Sequence, residues 1–121
     1  MHDRGNSYQT EAGTWINVNR ALANVAASQT DSSLVAAVAG KKIRVIFLIA
    51  KAGATATVAT FNSKGAGAGV AISAAFANGA NGDVTLPYNK DGWFETTAGE
   101  ALTVTTGAGS TTGIQLGYVL A

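Results

Sequence analysis

The sequence predicts an all-β fold, an antiparallel two-sheet sandwich of jelly-roll type with an extended N-terminal arm. The 121 residues include 14 Thr and 10 Val, whose branched side chains favour strands. The apolar runs are short, and clusters of Gly, Asn, Asp and Ser separate them at fairly even spacing, as is typical of all-β domains. Alanine is abundant, but the interleaved Gly, Thr and Asn disfavour helices. An immunoglobulin-like sandwich is the alternative, although the sequence lacks the cysteine pair of that fold.

The composition indicates a thin hydrophobic core. Alanine and glycine together account for 39 of the 121 residues, which leaves 33 apolar side chains larger than alanine. A chain of this length fits one domain, and we assign residues 15–121 to a single β-sandwich domain. Because a small domain buries a modest share of its surface, we expect association with further copies or with a partner to complete it.

Residues 1–14 are polar and are predicted to form an extended or disordered arm that orders on a neighbouring molecule. Tyr8, Trp15 and Ile16 are the sizeable apolar side chains in or beside this arm. They are therefore the predicted anchors of the arm, although Trp15 fits core packing equally well.

Nine strands are predicted along the rest of the chain, and the turn signals between them define their ends. The segments at 20–27 and 34–38 are predicted to pair as a hairpin across the polar turn 29–33. Pro87 ends a short strand, since proline cannot continue a ladder of hydrogen bonds. The predicted strands are residues 15–18, 20–27, 34–38, 42–52, 55–63, 70–76, 84–86, 102–106 and 114–120.

The segment 42–52 is the most strongly apolar of these strands, and it is apolar on both faces over residues 45–50. One face can fill the core, and we expect another subunit to cover the second face. Strict alternation places Ile43, Val45, Phe47 and Ile49 on one face and Arg44, Ile46, Leu48 and Ala50 on the other. From the second face, Arg44, Ile46 and Leu48 are predicted to form a subunit interface.

A turn at 89–92 is predicted to deliver Trp93 and Phe94 to opposite faces. Large aromatic side chains supply much of the buried area in a chain this rich in alanine, so both residues are predicted core or interface residues, with a stacking platform for sugar as the alternative. Tyr118 in the final strand is assigned to the same interface. Gly117 marks a position where another side chain can approach closely.

The composition also excludes several classes of function. The chain has no Cys and a single His, His2, which argues against disulfides, thiolate or multi-histidine metal sites and a histidine-based catalytic triad. A net charge of +1 with 12% charged residues offers no basic field for nucleic acid. No apolar run reaches 18 residues, so no membrane span is expected. No cofactor is expected, and without a GxSxG motif the chain is predicted not to be an enzyme.

Three carboxylates, Asp91, Glu95 and Glu100, lie close together in sequence. Paired carboxylates can hydrolyse glycosides or bind Ca²⁺, so a glycosidase remains an alternative if Glu95 and Glu100 share a cleft. We expect solvated turn carboxylates instead, with Glu95 and Glu100 paired to Lys90 or to Arg44 of a neighbouring subunit.

Two segments carry a resemblance to a known group of proteins. They are residues 38–45, VAGKKIRV, and residues 86–102, LPYNKDGWFETTAGEAL. Their order and the final strand resemble small tailed-phage virion proteins that accompany capsid genes and are similar to capsid decoration (cement) proteins. The resemblance covers residues 20–121 and leaves out the arm.

The resemblance implies a jelly-roll or similar sandwich that assembles as a homotrimer on the outer surface of an icosahedral capsid. It implies a structural role without catalysis, with the major capsid protein as partner. The protein would be made in the host bacterial cytoplasm and would reside in the virion, where Tyr8, Trp15 and Ile16 would contact the capsid. A fibre, tail-tip or receptor-binding module is the alternative, in which Tyr88, Asn89, Asp91 and Trp93 would recognise a host surface glycan.

Overall fold

The computed structural model describes residues 7–9 and 15–121, with side chains described from residue 17 onward. Twelve strands and no helix lie in this part of the chain, so it contains no helix that could span a membrane. The strands are β1 (Ser7–Gln9), β2 (Trp15–Asn17), β3 (Asn19–Val25), β4 (Ser32–Val35), β5 (Ile43–Ala52), β6 (Thr57–Lys64), β7 (Val70–Ala71), β8 (Phe76–Asn78), β9 (Asp83–Leu86), β10 (Phe94–Glu95), β11 (Ala101–Thr106) and β12 (Thr112–Leu120).

Ten of the strands form two five-stranded antiparallel sheets that pack face to face. Sheet I has the order β3–β12–β5, and both β9 and β10 pair along the remaining edge of β5. Sheet II has the order β4–β11–β6, and both β7 and β8 pair along the remaining edge of β6. The predicted antiparallel two-sheet sandwich is confirmed.

The two remaining strands, β1 and β2, pair with each other and form the N-terminal hairpin. A single residue, Val18, separates this hairpin from β3. Within the predicted arm, only Ser7–Gln9 belongs to the described residues, and the other residues of 1–14 lie outside them.

Three aromatic side chains join the sheets, with Phe61 in the core and Phe76 and Phe94 packed against the core, partly buried. Phe61 on sheet II is fully buried and stacks on Phe94 of sheet I, with ring centroids 5.4 Å apart and an interplanar angle of 28°. Phe76 packs against the ring of Phe61, with ring centroids 6.1 Å apart. Buried aliphatic residues from both sheets surround them: Val25, Val35, Ile43, Val45, Leu48, Ala50, Ala59, Leu102, Val104, Ile114 and Leu116.

A bulge in β5 changes the faces that strict alternation predicts. Gly117 of β12 lies opposite Phe47, but Tyr118 lies opposite Val45, so Ile46 is the extra residue on β5. Val45 and Leu48 therefore both face the core. The predicted grouping of Phe47 and Ile49 with the core-facing residues was wrong, because the bulge reverses the alternation after Val45.

The predicted hairpin between residues 20–27 and 34–38 was also wrong. β3 pairs with β12 in sheet I, whereas β4 pairs with β11 in sheet II, so the chain crosses from one sheet to the other. Thr106 holds this crossing in place, since its hydroxyl accepts the Gln29 N–H at 3.0 Å and donates to the Ala26 carbonyl at 2.7 Å. These bonds attach the polar turn 29–33 to the end of β11 in sheet II. The turn therefore does not return the chain to a strand that pairs with β3.

The strand predicted at residues 70–76 is interrupted, and it forms β7 and β8 with residues 72–75 between them. The Ser73 hydroxyl accepts the Phe61 N–H at 2.9 Å, while the Ile72 N–H donates to the Phe61 carbonyl at 2.9 Å. A side-chain oxygen thus replaces one backbone acceptor of the ladder, which lets the chain leave the sheet after Ala71.

The predicted close approach at Gly117 is confirmed. The ring of Phe47 lies directly on this glycine, and a Cβ atom added there would collide with Phe47 Cε2, Cδ2 and Cζ. Gly113 lies on the same outer face of β12, but its nearest neighbours would be Asn24 Oδ1 at 3.5 Å and the Lys51 carbonyl at 4.0 Å. The two glycines of one strand therefore differ in the space available to a side chain.

This difference predicts opposite outcomes for two alanine substitutions. Gly117→Ala should lower the free energy of unfolding by about 1–3 kcal/mol, because the methyl group overpacks against an aromatic ring. Gly113→Ala should change it by less than about 0.5 kcal/mol, because the site is open. Urea denaturation measures both values.

A double-mutant cycle identifies the cause of the loss. In a Phe47→Ala background, the cost of Gly117→Ala should fall below about 0.5 kcal/mol. An undiminished cost in that background would show that the Phe47 ring is not the obstacle.

Candidate functional site

Two exposed apolar side chains, Leu22 and Ile49, flank a depression on the outer face of sheet I. Leu22 of β3 lies opposite Gln115 of β12, which in turn lies opposite Ile49 of β5, so the three residues form a row across the sheet. Leu22 is 72% exposed and Ile49 is 43% exposed. Gly113 lies on the same face, two residues before Gln115 in β12. Because it has no side chain, a depression of about 440 Å³ remains there. We call Leu22, Ile49, Gly113 and Gln115 the sheet I patch.

Leu22 was not predicted as an interface residue, although the sequence pattern of β3 indicates that its side chain faces outward. In β3 the residues alternate between less and more exposed, with alanines at 21 and 23 on the core side. The large side chain of the strand therefore points outward, between Arg20 and Asn24. In a half-buried strand the larger apolar residue usually takes the inner face, so this reversed pattern indicates an interaction surface.

The predicted interface residues occupy different places. Leu48 packs in the core, and Phe94 and Tyr118 pack against it, partly buried. Ile46 is fully buried within the single chain, and its carbonyl accepts the Asn89 N–H at 2.8 Å. Ile46 and Leu48 offer little surface to a second molecule, and for Leu48 the cause is the bulge in β5, which turns it inward. The outer face of β5 is formed instead by Phe47, Ile49 and Lys51.

A second apolar feature, which we call the edge cleft, lies where the interrupted edge strands of the two sheets face each other. Its floor is formed by Phe76 and Phe94, and Trp93 lies at its rim with 42% exposure. Its volume is about 410 Å³. The remaining lining residues are uncharged: Ala71, Ile72, Ser73, Ala74 and Leu86.

The polar side-chain atoms of the edge cleft already have partners inside the chain. The Trp93 indole N–H donates to the Pro87 carbonyl at 2.7 Å. The Ser73 hydroxyl accepts the Phe61 N–H and donates to the Ala74 carbonyl at 2.8 Å. The cleft therefore presents hydrocarbon and aromatic surface to an occupant, which suits an apolar group better than a sugar.

The loop that carries Trp93 is shaped by Asn89. The Asn89 Oδ1 atom accepts the Asp91 N–H at 3.1 Å, and its carbonyl accepts the Gly92 N–H at 2.9 Å. Gly92 has a φ of +83°, a left-handed conformation that favours glycine. Among the residues predicted to recognise a glycan, Tyr88 and Trp93 are exposed. The Asp91 Oδ1 atom lies 3.7 Å from Lys90 Nζ, and the Asn89 side chain stabilises the turn.

Glu95 pairs within its own chain. Its carboxylate lies 3.0 Å from Arg44 Nε and 3.2 Å from Lys42 Nζ. The predicted pairing with Lys90 or with a neighbour's Arg44 was wrong for Glu95, because β10 pairs with β5 and sets Glu95 directly opposite Arg44. The hydrogen bond from Arg44, more than any other contact, lowers the pKa of Glu95.

Glu100 has a different partner, and neither glutamate lines the edge cleft. The carboxylate of Glu100 accepts a hydrogen bond from the Ser63 hydroxyl at 2.6 Å, and that hydroxyl accepts the Thr97 N–H at 3.0 Å. In this arrangement Glu100 holds the turn before β11 against the end of β6.

Asp31 forms a polar cluster at sheet II that the sequence did not indicate. It has a φ of +49°, and its carboxylate accepts the Gly69 N–H at 3.0 Å, the Thr103 hydroxyl at 3.1 Å and the Asn62 amide at 3.2 Å. The hydrogen bond from the Gly69 backbone is the main cause that lowers the pKa of Asp31, and those from Thr103 and Asn62 add to it. The cluster ties the crossing between the sheets to the glycine-rich loop 64–69.

Comparison with known proteins finds no match that indicates a function, so the surfaces described above are the basis for inferring one. No protein-family model, curated protein or solved structure matches the chain. Within the described residues, no group of three or more His, Cys, Asp or Glu side chains could hold a metal ion. The resemblance to phage decoration proteins therefore stays a prediction.

The lowered pKa values of Asp31 and Glu95 predict a loss of stability in acid. Their contribution is complete above the ordinary carboxyl pKa values of 3.8 and 4.5, and it is lost as the pH falls through the lower folded-state pKa values. Asp31→Asn should lower the free energy of unfolding at pH 7 by about 1 kcal/mol and should flatten its decline between pH 5 and pH 2.

Asparagine tolerates the left-handed backbone at residue 31, so this substitution tests the carboxylate itself. The matched control is Asp91→Asn, at a side chain that is 82% exposed, and it should leave the urea midpoint within experimental error at each pH. Equal pH dependence in Asp31→Asn and the wild type would contradict the assignment.

Proposed function

We propose that the protein is a structural virion protein, a decoration protein that assembles as a homotrimer, binds the major capsid protein on the outer capsid surface and stabilises capsomer contacts. The observation that carries this proposal is the sheet I patch. Exposed large apolar side chains beside a depression, as Leu22 and Ile49 are here, are typical of a protein–protein contact. The role requires no catalytic group and no cofactor.

The strand order supports a jelly roll as the fold behind this function. The strands β3, β4, β5 and β6 lie in sheets I, II, I and II in turn. The short strands β7 and β8 then lie at the edge of sheet II and β9 and β10 at the edge of sheet I, before β11 enters sheet II and β12 enters sheet I. Each sheet then has four strand positions, as in an eight-stranded jelly roll, a fold of viral shell proteins and lectins.

The shape of the patch supports association between copies. The glycine at 113 lets a neighbouring backbone or side chain approach the sheet closely. The row from Leu22 to Ile49 crosses the sheet without a charged residue. If the three copies turn this face toward a common axis, the β3 edge of each copy meets the β9–β10 edge of the next.

The homotrimer predicts a mass in solution of three times the chain mass of 12.1 kDa. Size-exclusion chromatography with light scattering at micromolar concentration should give this value for the wild type. Leu22→Lys and Ile49→Lys should each weaken the trimer at least about tenfold, because a lysine buried without a partner is costly.

Val70→Lys is the matched control, since Val70 is 68% exposed but lies at the edge of sheet II. This variant should remain trimeric. A wild-type protein that is monomeric under these conditions would remove the homotrimer from the proposal. Cryo-electron microscopy of the virion tests its location: density for the chain at capsomer junctions supports decoration, and density confined to the tail refutes it.

A receptor-binding or tail-tip module is the second candidate, favoured by the exposure of two aromatic side chains, Tyr88 and Trp93. In this case the wild-type protein should bind glycans on an array, and Trp93→Ala should abolish the binding while the protein keeps its folded-state circular dichroism. Absence of glycan binding by the wild type removes this candidate.

A further inference from the structure

The outward side of β3 carries backbone groups that no described strand pairs with. The Gly53 N–H donates to the Thr111 carbonyl at 3.0 Å, so Thr111 points toward β5. Because successive residues of a strand point in opposite directions, Thr112 and the alternate residues after it face β3. The β3 residues that they oppose are Ala21, Ala23 and Val25. The other residues inside the strand therefore direct their N–H and C=O groups away from the sheet, namely Arg20, Leu22 and Asn24.

The outward side of β9, at the opposite edge of sheet I, is free in the same way among the described strands. The Ala52 N–H donates to the Gly82 carbonyl at 2.8 Å, which sets the direction of the alternate residues of β5. The residues of β9 that face away from β5 are therefore Asp83 and Thr85. Each end of sheet I thus presents backbone donors and acceptors to which a further strand can bond.

The two edges match in direction and in face. Every neighbouring pair of strands in sheet I is antiparallel, so β3 and β9 run in opposite directions. A threefold axis parallel to the strands keeps these directions, so β3 of one copy meets β9 of the next copy in antiparallel orientation. Thr85 lies opposite Ile49, on the same outer face as Leu22. A joined sheet therefore keeps one continuous outer face.

The dimensions of sheet I allow three copies to join edge to edge and pack face to face at once. The sheet has four strand positions, so one copy and one joint occupy about 19 Å at about 4.8 Å per strand. Three such sheets form a triangle whose sides lie about 5–6 Å from the axis. Packed sheets lie about 10 Å apart, so each is about 5 Å from the middle of the packed layer. The arrangement that joins the edges therefore also buries the sheet I patch around the axis.

The charges of the two edges are opposite. Arg20 is the one charged residue of β3, and Asp83 is the one charged residue of β9. When Leu22 lies opposite Asp83, Arg20 lies opposite Thr85, and the two charged side chains are diagonal neighbours on one face. Long side chains interact across that diagonal. Because β3 has no acidic residue, pairing of two β3 strands about a twofold axis gives Arg20 no such partner.

We propose that in the homotrimer β3 of each copy pairs with β9 of the next copy, so that backbone hydrogen bonds join the three copies of sheet I around the threefold axis. The pairing rests on the proposed homotrimer and names its backbone contact. Each copy contributes two different edges, so the contact is head-to-tail and closes after three copies. The partner at both edges is a second copy of this chain.

Removal of one outward N–H group tests the pairing. Thr85→Pro removes that group from β9, and proline is tolerated in an edge strand where the missing N–H faces outward. The matched control Thr85→Val keeps the N–H and a branched side chain, and it loses the same hydroxyl, which donates to Asp83 at 3.1 Å. Thr85→Pro should raise the dissociation constant of the trimer at least about tenfold, whereas Thr85→Val should leave it unchanged.

The measurement is light scattering of the full-length proteins over a dilution series, with circular dichroism and the urea midpoint as checks of folding. A monomeric or dimeric wild type removes both the homotrimer and the pairing, and a dimer indicates pairing of two β3 strands. A trimeric wild type with an unchanged dissociation constant in Thr85→Pro, or with equal weakening in Thr85→Val, overturns the pairing and leaves the homotrimer in place.

A charge exchange tests the same contact without altering the backbone, and it decides alone if Thr85→Pro does not fold. Arg20→Glu and Asp83→Lys should each raise the dissociation constant at least about threefold, because each places like charges at the joint. The double variant should return to the wild-type value. Lys41→Glu, at an exposed residue outside both edges, is the control and should have no effect. A double variant that stays as weak as the single variants overturns the pairing.

Discussion

The stacking of Phe61 on Phe94 is the contact on which the rest of the structure depends. In a chain with 39 alanines and glycines, few side chains can span the space between two sheets. Phe94 belongs to a strand of two residues, and its packing on Phe61 holds that strand against β5. Two further features follow from that position: Glu95 lies opposite Arg44, and Trp93 lies at the rim of the edge cleft. The Thr96 hydroxyl completes the attachment by accepting the Ile43 N–H at 2.9 Å.

The bulge in β5 decides which apolar residues are available to a partner. By inserting Ile46 opposite the junction of Gly117 and Tyr118, it directs Leu48 to the core and leaves Phe47 and Ile49 outside. The ring of Phe47 then needs a glycine beneath it. The outer face of sheet I therefore carries Phe47 and Ile49, and the core of the single chain is completed at the same time.

The two interaction surfaces share a chemistry that fits a structural role. The sheet I patch and the edge cleft both present apolar groups, and the polar side chains in the cleft lining are satisfied within the chain. The carboxylates outside these surfaces hold turns and strand ends together, as Asp31, Glu95 and Glu100 show. Such a distribution favours contacts that add stability to an assembly over sites that bind and transform a small molecule.

The sequence by itself determined the fold class, most strand positions and the close contact at Gly117. Those features follow from local signals, namely branched residues, period-two alternation and turn residues at strand ends. The tertiary structure decided that residues 19–25 and 32–35 enter different sheets, that Leu22 and Ile49 lie outside, and that Glu95 pairs with Arg44 of its own chain. These outcomes depend on strand partners far away in sequence, and one inserted residue reverses every side chain beyond it. Local patterns contain neither the partners nor the bulge, so only the packed sheets could reveal the surfaces on which the proposed assembly rests.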